Sequence, residues 1–136
     1  METNYVSVFV AAIAGWLLGV AWYGVLGKQW MTALGWDEAT INGPRQIPVV
    51  AMIISFIALL TMAYLLAGIM AHMGPASVRI GVISGALVWL GFSITTMSVN
   101  NAFQMRNPML TIIDGGHWLV VLRAAAVAAA GAAAGK

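Results

Sequence analysis

Three stretches of this chain carry no charged residue at all: Tyr5–Leu26, Ile47–Ala71 and Ile80–Phe103, of 22, 25 and 24 residues. Each exceeds the roughly 20 residues that a helix needs to cross the hydrocarbon core of a bilayer. Within lipid, backbone N–H and C=O groups have to be satisfied internally, so the segments are read as helices or as strands of a closed barrel. The alternating strands of about ten residues that mark a barrel are absent. A fourth stretch, Leu110–Ala130, has 21 residues but holds Asp114, His117 and Arg123. An ion at the centre of a span costs about 2.5–3.5 kcal/mol on insertion scales, so this span is expected to insert with the help of its neighbours. With 62% apolar and only 7% charged residues, the chain is neither a soluble domain, in which about 25% of residues are charged, nor a disordered one.

The spans leave 44 of the 136 residues for every loop and end, which makes residues 1–136 a single transmembrane domain. The expected class is all-α: an integral membrane four-helix bundle, spanning about 5–26, 47–71, 80–103 and 110–130, with a short interfacial segment between the first two helices. The first span is read as retained, because its apolar run is longer than a signal peptide's and is preceded by Glu2 without Lys or Arg. Pro48 falls at a helix start, while Pro75 and Pro108 fall in turns. Helices in lipid associate through small residues spaced four apart. Each span offers such a row: Ala11, Gly15 and Gly19; Ala63, Ala67 and Ala71; Gly81 and Gly85; Ala124, Ala128 and Ala132.

Between the first two spans, aromatic residues crowd together: Trp22, Tyr23, Trp30 and Trp36. Such rings concentrate in the headgroup layer, and these four are expected to be interfacial anchors, with Lys28–Leu34 forming a short helix on the membrane surface. The alternative is a lid over a binding cavity. The run Gly15-Trp16-Leu17-Leu18-Gly19 followed by Trp22-Tyr23-Gly24, Gly27, Trp30, Leu34 and Gly35, with a later Gly116-His117-Trp118, resembles the bacterial membrane-protein family "domain of unknown function 1761". The resemblance covers nearly the whole chain. It implies four helices and a bacterial cytoplasmic (inner) membrane location, and transfers no activity and no functional residues.

A polar constellation marks the last two spans. Ser93, Thr96, Asn100 and Gln104 fall at offsets 0, 3, 7 and 11, one helical face, with Asn101 beside it. On the fourth span Asp114 and His117 share a face, and Arg123 points the other way. Across the short 104–109 turn, the Asn100 or Asn101 amide is the expected partner of the Asp114 carboxylate. One reading is a polar pocket that binds a cation, a proton or a headgroup. The other is a helix cap at Asp114 together with interhelical hydrogen bonds. Arg123 is expected to snorkel to headgroups, or else to contact a lipid phosphate or another subunit.

Chemistry is constrained by what the sequence lacks. There is no cysteine and there are only two histidines, too few for a metallohydrolase site; no nucleophile elbow, phosphate loop or dinucleotide fingerprint occurs. No metal and no cofactor is expected, a haem on His117 being a minor alternative. The six cations are dispersed, which argues against nucleic acid. The expected function is therefore non-enzymatic: assembly with the lipid bilayer as solvent, as a homo-oligomer or as an accessory subunit of a membrane complex. The alternative is a small oligomeric transporter or channel for a proton, cation or small solute, using the Asn100, Asp114 and His117 cluster. Lys28, Arg45 and Arg106 on one side against Arg79 and Lys136 on the other place both termini outside the cytoplasm.

Overall fold

Long apolar runs form the helices, and local capping signals set several of their boundaries. The computed structural model describes residues 5–44, 46–72 and 77–134, without the side chains of 131–134. Arg45, Pro75, the Ala132 side chain and Lys136 lie outside the described residues. The helices are α1 (Tyr5–Ala33), α2 (Glu38–Asn42), α3 (Val49–His72), α4 (Val78–Val88), α5 (Thr95–Phe103) and α6 (Pro108–Ala134), and a π-helical turn, Trp89–Ile94, joins α4 to α5. Four rods are long and apolar enough to cross a membrane: α1, α3, α4 with α5, and α6. Among the described residues there is no strand.

The caps match the sequence closely. Ser77 accepts a hydrogen bond from the Ile80 N–H at the start of α4, and Asn107 accepts one from the Met109 N–H at the start of α6. Pro108 then occupies the first turn, where a missing N–H costs nothing. Helix α1 does not stop at the expected boundary. It runs without a break to Ala33, so Lys28–Leu34 is the end of the first span and not a separate surface helix. Its end is set by Gly35 at φ +82°: the Gly35 N–H reaches the Thr32 carbonyl and the Trp36 N–H reaches the Met31 carbonyl, closing a Schellman motif. The short helix of this connection is α2, capped by Asp37.

Helix α6 is the most deeply buried rod and packs against α1, α3 and α4. It runs antiparallel to α1, so that Gly15 meets Val121 and Gly19 meets His117. Val8, Ala11, Ala63, Leu66, Ala125 and Ala126 form one core cluster, and Ala12, Leu59 and Val121 a second. Small residues bring α4 closest. A Cβ on Gly81 would lie 2.8 Å from the Ala126 carbonyl oxygen, and one on Gly85 would lie 2.8 Å from the Leu122 oxygen and the Arg123 Cα. On α6 the fully buried small residues are Ala126 and Ala130, two positions out of step with the expected Ala124 and Ala128 row.

The π-helical turn changes the register of α5. With Gly81 and Gly85 facing α6, an unbroken α-helix would also present Phe92, Thr96 and Asn100 to α6. A π turn inserts the equivalent of one extra residue and rotates α5 by about 100°. Phe92, Thr96 and Asn100 are consequently exposed, while Asn101 donates to the Thr111 hydroxyl of α6 at 2.9 Å. The expected Asn100 or Asn101 bond to Asp114 is not formed.

Candidate functional site

Four residues of α6, Asp114-Gly115-Gly116-His117, organise the polar interior. Gly115 and Gly116 admit neighbours that any side chain would displace: a Cβ would lie 2.5 Å from the Ile94 Cδ1 at the first and 2.9 Å from the Trp22 ring at the second. That closeness lets two indoles reach the α6 backbone. Trp22 Nε1 donates to the Ile113 carbonyl at 3.1 Å, and Trp89 Nε1 donates to the Gly115 carbonyl at 2.7 Å. Tyr23, next to Trp22 on α1, donates its hydroxyl to Asp114 Oδ1 at 2.6 Å. A bond so short to a carboxylate is charge-assisted, the stronger kind of hydrogen bond.

Trp22 and Tyr23, expected at the headgroup layer, are thus half-buried bundle partners of α6. The side-chain partner of Asp114 comes from α1, not from α5. A signal for this existed in the sequence: Gly15, Gly19, Trp22 and Tyr23 recur at helical spacing and lie on the same face of α1.

His117 sits one turn below Asp114 and is 8% exposed. Its ring packs against the Tyr23 ring, with centroids 5.2 Å apart, and against the Trp118 ring at 4.9 Å. Gly19 makes room for it, since a Cβ there would lie 3.0 Å from His117 Nε2. Among the described residues both ring nitrogens are buried without a hydrogen-bond partner, as is Trp30 Nε1. Buried polar groups in native proteins are nearly always paired. One nitrogen of a neutral imidazole carries a proton, so at least one donor here has nothing to donate to.

His117 and Trp30 also line a half-open cavity of about 730 Å³ between α1, the start of α3 and the connection that carries α2. Trp16, Tyr23, Trp30 and Trp36 supply its aromatic wall, Met31, Pro48 and Met52 its aliphatic wall, and Thr40, Gln46, Ser55 and His117 its polar positions. The described lining contains no Asp, Glu, Lys or Arg. Trp30 packs edge-on against Tyr23 at 5.7 Å and Trp36 packs against Trp30 at 6.3 Å, which carries the aromatic wall from α1 out to the connection. Of the two alternatives for this connection, an interfacial anchor or a cover over a cavity, Trp36 has features of both: it is 47% exposed and lines the cavity.

The remaining polar residues of the expected pocket stand apart. Ser93 is half-buried; Thr96, Asn100 and Gln104 are exposed. Thr96 donates to the Phe92 carbonyl, and Gln104 accepts from Arg106 Nε at 2.8 Å. Arg123 is exposed on the outer face of α6. Among the described residues no group of three or more His, Cys, Asp or Glu is placed to hold a metal ion. His117 Nε2 abuts the α1 backbone at Gly19, which leaves no space for an iron at that nitrogen.

No curated protein and no solved structure matches the chain. A family profile does match, over residues 6–130: that of "Protein of unknown function (DUF1761)". The matched region takes in nearly all of the four spans and every described lining residue of the cavity, and the chain belongs to this family of unknown function.

Proposed function

We propose that this protein is a membrane-embedded solute-binding protein, the binding station of a small carrier, and not an enzyme. The observation that supports this reading is the buried imidazole of His117, without a partner on either nitrogen, beside a cavity of about 730 Å³. Small-molecule sites are concave, mostly apolar, about 300–1,000 Å³ in volume, and carry a few polar groups that fix orientation. The Tyr23 hydroxyl engages the Asp114 carboxylate, and the described lining residues include no Asp, Glu, Lys or Arg, which favours a small uncharged solute over a proton or cation. We take the membrane to be the bacterial inner membrane, with the α2 connection and the 104–109 turn on the cytoplasmic side, where Lys28 and Arg106 would lie.

Filling the cavity tests this. Native protein and a Ser55→Phe variant are purified from their own membranes in mild detergent, extracted with solvent and compared by mass spectrometry. A small uncharged compound retained by the native protein and reduced about tenfold in a variant of equal thermal stability is the expected result. Identical extracts, or extracts empty of any such compound, would refute the reading.

Assembly is the second reading, supported by a different surface. Thr96, Asn100 and Arg123 are exposed on the third and fourth spans, with Thr95 and Ser98 beside the first two, and polar groups facing lipid are expensive. A second copy or another membrane subunit would cover them. The mass of the protein in mild detergent decides this, and a stable monomer with nothing co-purifying would remove the reading.

A further inference from the structure

The lining of the cavity follows two helix faces, and this gives the space a direction. Trp16, Gly19, Tyr23, Gly27 and Trp30 recur three and four apart on one face of α1, and Pro48, Met52 and Ser55 do the same where α3 begins. From Trp16 to Trp30 the α1 face runs about 21 Å at the rise of an α-helix. A volume of about 730 Å³ drawn out over that length is a groove and not a sphere. Resting on the solute-binding reading, we infer that the occupant is an uncharged amphiphile with a hydroxyl head and one long hydrocarbon chain, the chain lying along α1 over Gly27 and the head at the α2 connection beside Gln46.

Polarity falls along the groove. Thr40 and Gln46 are exposed at the connection, and the Gln46 amide can both donate to a hydroxyl and accept from it. The other polar groups of the lining are spent or sealed: Ser55 donates to the Met52 carbonyl at 2.8 Å, and the ring nitrogens of His117 and Trp30 are buried in the bundle. The deep part of the groove therefore offers carbon surface, which a hydrocarbon chain covers without leaving a polar group of its own unpaired. A carboxylate or ammonium head would find no opposite charge among the described lining residues. Two residues argue for a chain that arrives from lipid. Gly27 is buried, yet a Cβ built on it would meet nothing within 4 Å among the described residues. No neighbouring helix requires a glycine there, and glycine destabilises a helix interior relative to alanine; a chain lying on the bare backbone supplies the requirement. Val20, a lining residue in the middle of the first span, is 53% exposed, which gives the groove an edge on the hydrocarbon of the bilayer.

The test uses the intact protein in phosphatidylcholine nanodiscs and monopalmitoylglycerol carrying a diazirine in its chain. Light should attach this probe saturably to the α1 and α3 faces that line the groove, with the sites read by peptide mass spectrometry. At equal mole fraction in the bilayer, hexadecanol should displace the probe at least about tenfold better than each of three relatives: hexadecane, which lacks the hydroxyl; palmitate, whose head is charged; and octanol, whose shorter chain leaves half of the groove without contacts.

Gly27→Leu puts a side chain into the groove where no protein atom opposes it, and should abolish saturable labelling while thermal stability holds; Ser55→Phe fills the same groove from α3 and repeats the test. Octanol displacing the probe as well as hexadecanol would overturn the long chain, palmitate doing so would overturn the uncharged head, and hexadecane doing so would overturn the hydroxyl. Each of these leaves the cavity reading standing. A native protein without saturable labelling would overturn the whole inference, and the solvent extract described above then judges the cavity reading separately. Saturable labelling that persists undiminished in both Gly27→Leu and Ser55→Phe would remove the cavity reading itself.

Discussion

The two ends of α6 are packed by opposite means. From Leu122 to Ala130 the helix lies against α4 with backbone on backbone, and Gly81 and Gly85 leave no space for even one added methyl group. From Ile113 to His117 it is held at a greater distance by side chains: two indole bonds to its carbonyls, a phenol on Asp114, and an imidazole beside a cavity. Lipid supplies no hydrophobic drive between helices, so association rests on close packing and hydrogen bonds. This helix uses the first where it must be rigid and the second where it borders open space. A cavity cannot be built from backbone contact, whereas polar side chains of fixed length can brace one open.

The largest effect is expected at the close-packed end. Gly85→Leu forces side-chain atoms against the α6 backbone and should destabilise the bundle by about 3 kcal/mol, the upper part of the range for overpacking, read as unfolding in mixed micelles. Gly91→Ala, in the π turn with open space around it, should be silent, and equal losses at the two positions would break the comparison. At the braced end, Tyr23→Phe removes the phenol from Asp114 and should cost about 1 kcal/mol, since hydrogen bonds inside membranes contribute less than their geometry suggests. A double-mutant cycle between Tyr23 and Asp114 should give a coupling of that size, and the same cycle between Asn100 and Asp114 should give zero.

Smaller changes sharpen the picture of the helix ends. Met105 occupies the left-handed position of a Schellman motif at φ +51°, with the Arg106 N–H on the Asn101 carbonyl, in the place where α1 uses Gly35. Relieving that conformation by Met105→Gly should stabilise α5 by about 0.5–1 kcal/mol, visible as slower amide exchange in its last turn. The least effect belongs to Asp37. Hydrogen bonding from Thr40, through its side chain and its backbone N–H, holds the Asp37 carboxyl below its ordinary value. Because the folded value is the lower one, the capping contribution is complete above the ordinary carboxylate range and is lost as pH falls through the folded value. An NMR titration of the carboxyl carbon should show that low midpoint, and Thr40→Ala should raise it.

Length and charge made the spans legible, because an uncharged run of more than about 20 residues without strand alternation hides its backbone in lipid as a helix. The small-residue rows on α1 and α4 were legible too, since Gly15, Gly19, Gly81 and Gly85 sit where another helix comes close. The π turn was hidden: Trp89–Ile94 reads as ordinary apolar helix, and counting 100° per residue through it carries Thr96 and Asn100 to the wrong side. The partner of Asp114 was hidden for a related reason. Proximity along the chain favoured α5, whereas the carboxylate is met by Tyr23, 91 residues away. The cavity depends on how the α2 connection folds back over α1 and α3, and no periodicity encodes that.

The bond between Tyr23 and Asp114 joins the first span to the last, and this gives the molecule an order of manufacture. A ribosome delivers α1 to the bilayer long before it makes α6, so the phenol is already waiting when the carboxylate arrives. The span least able to enter lipid by itself, burdened with Asp114, His117 and Arg123, is made after the other three described spans, and it enters beside partners already in place. A nascent chain deprived of its first helix would present the insertion machinery with an unescorted acid, and the final helix would be left at the membrane surface for quality-control proteases.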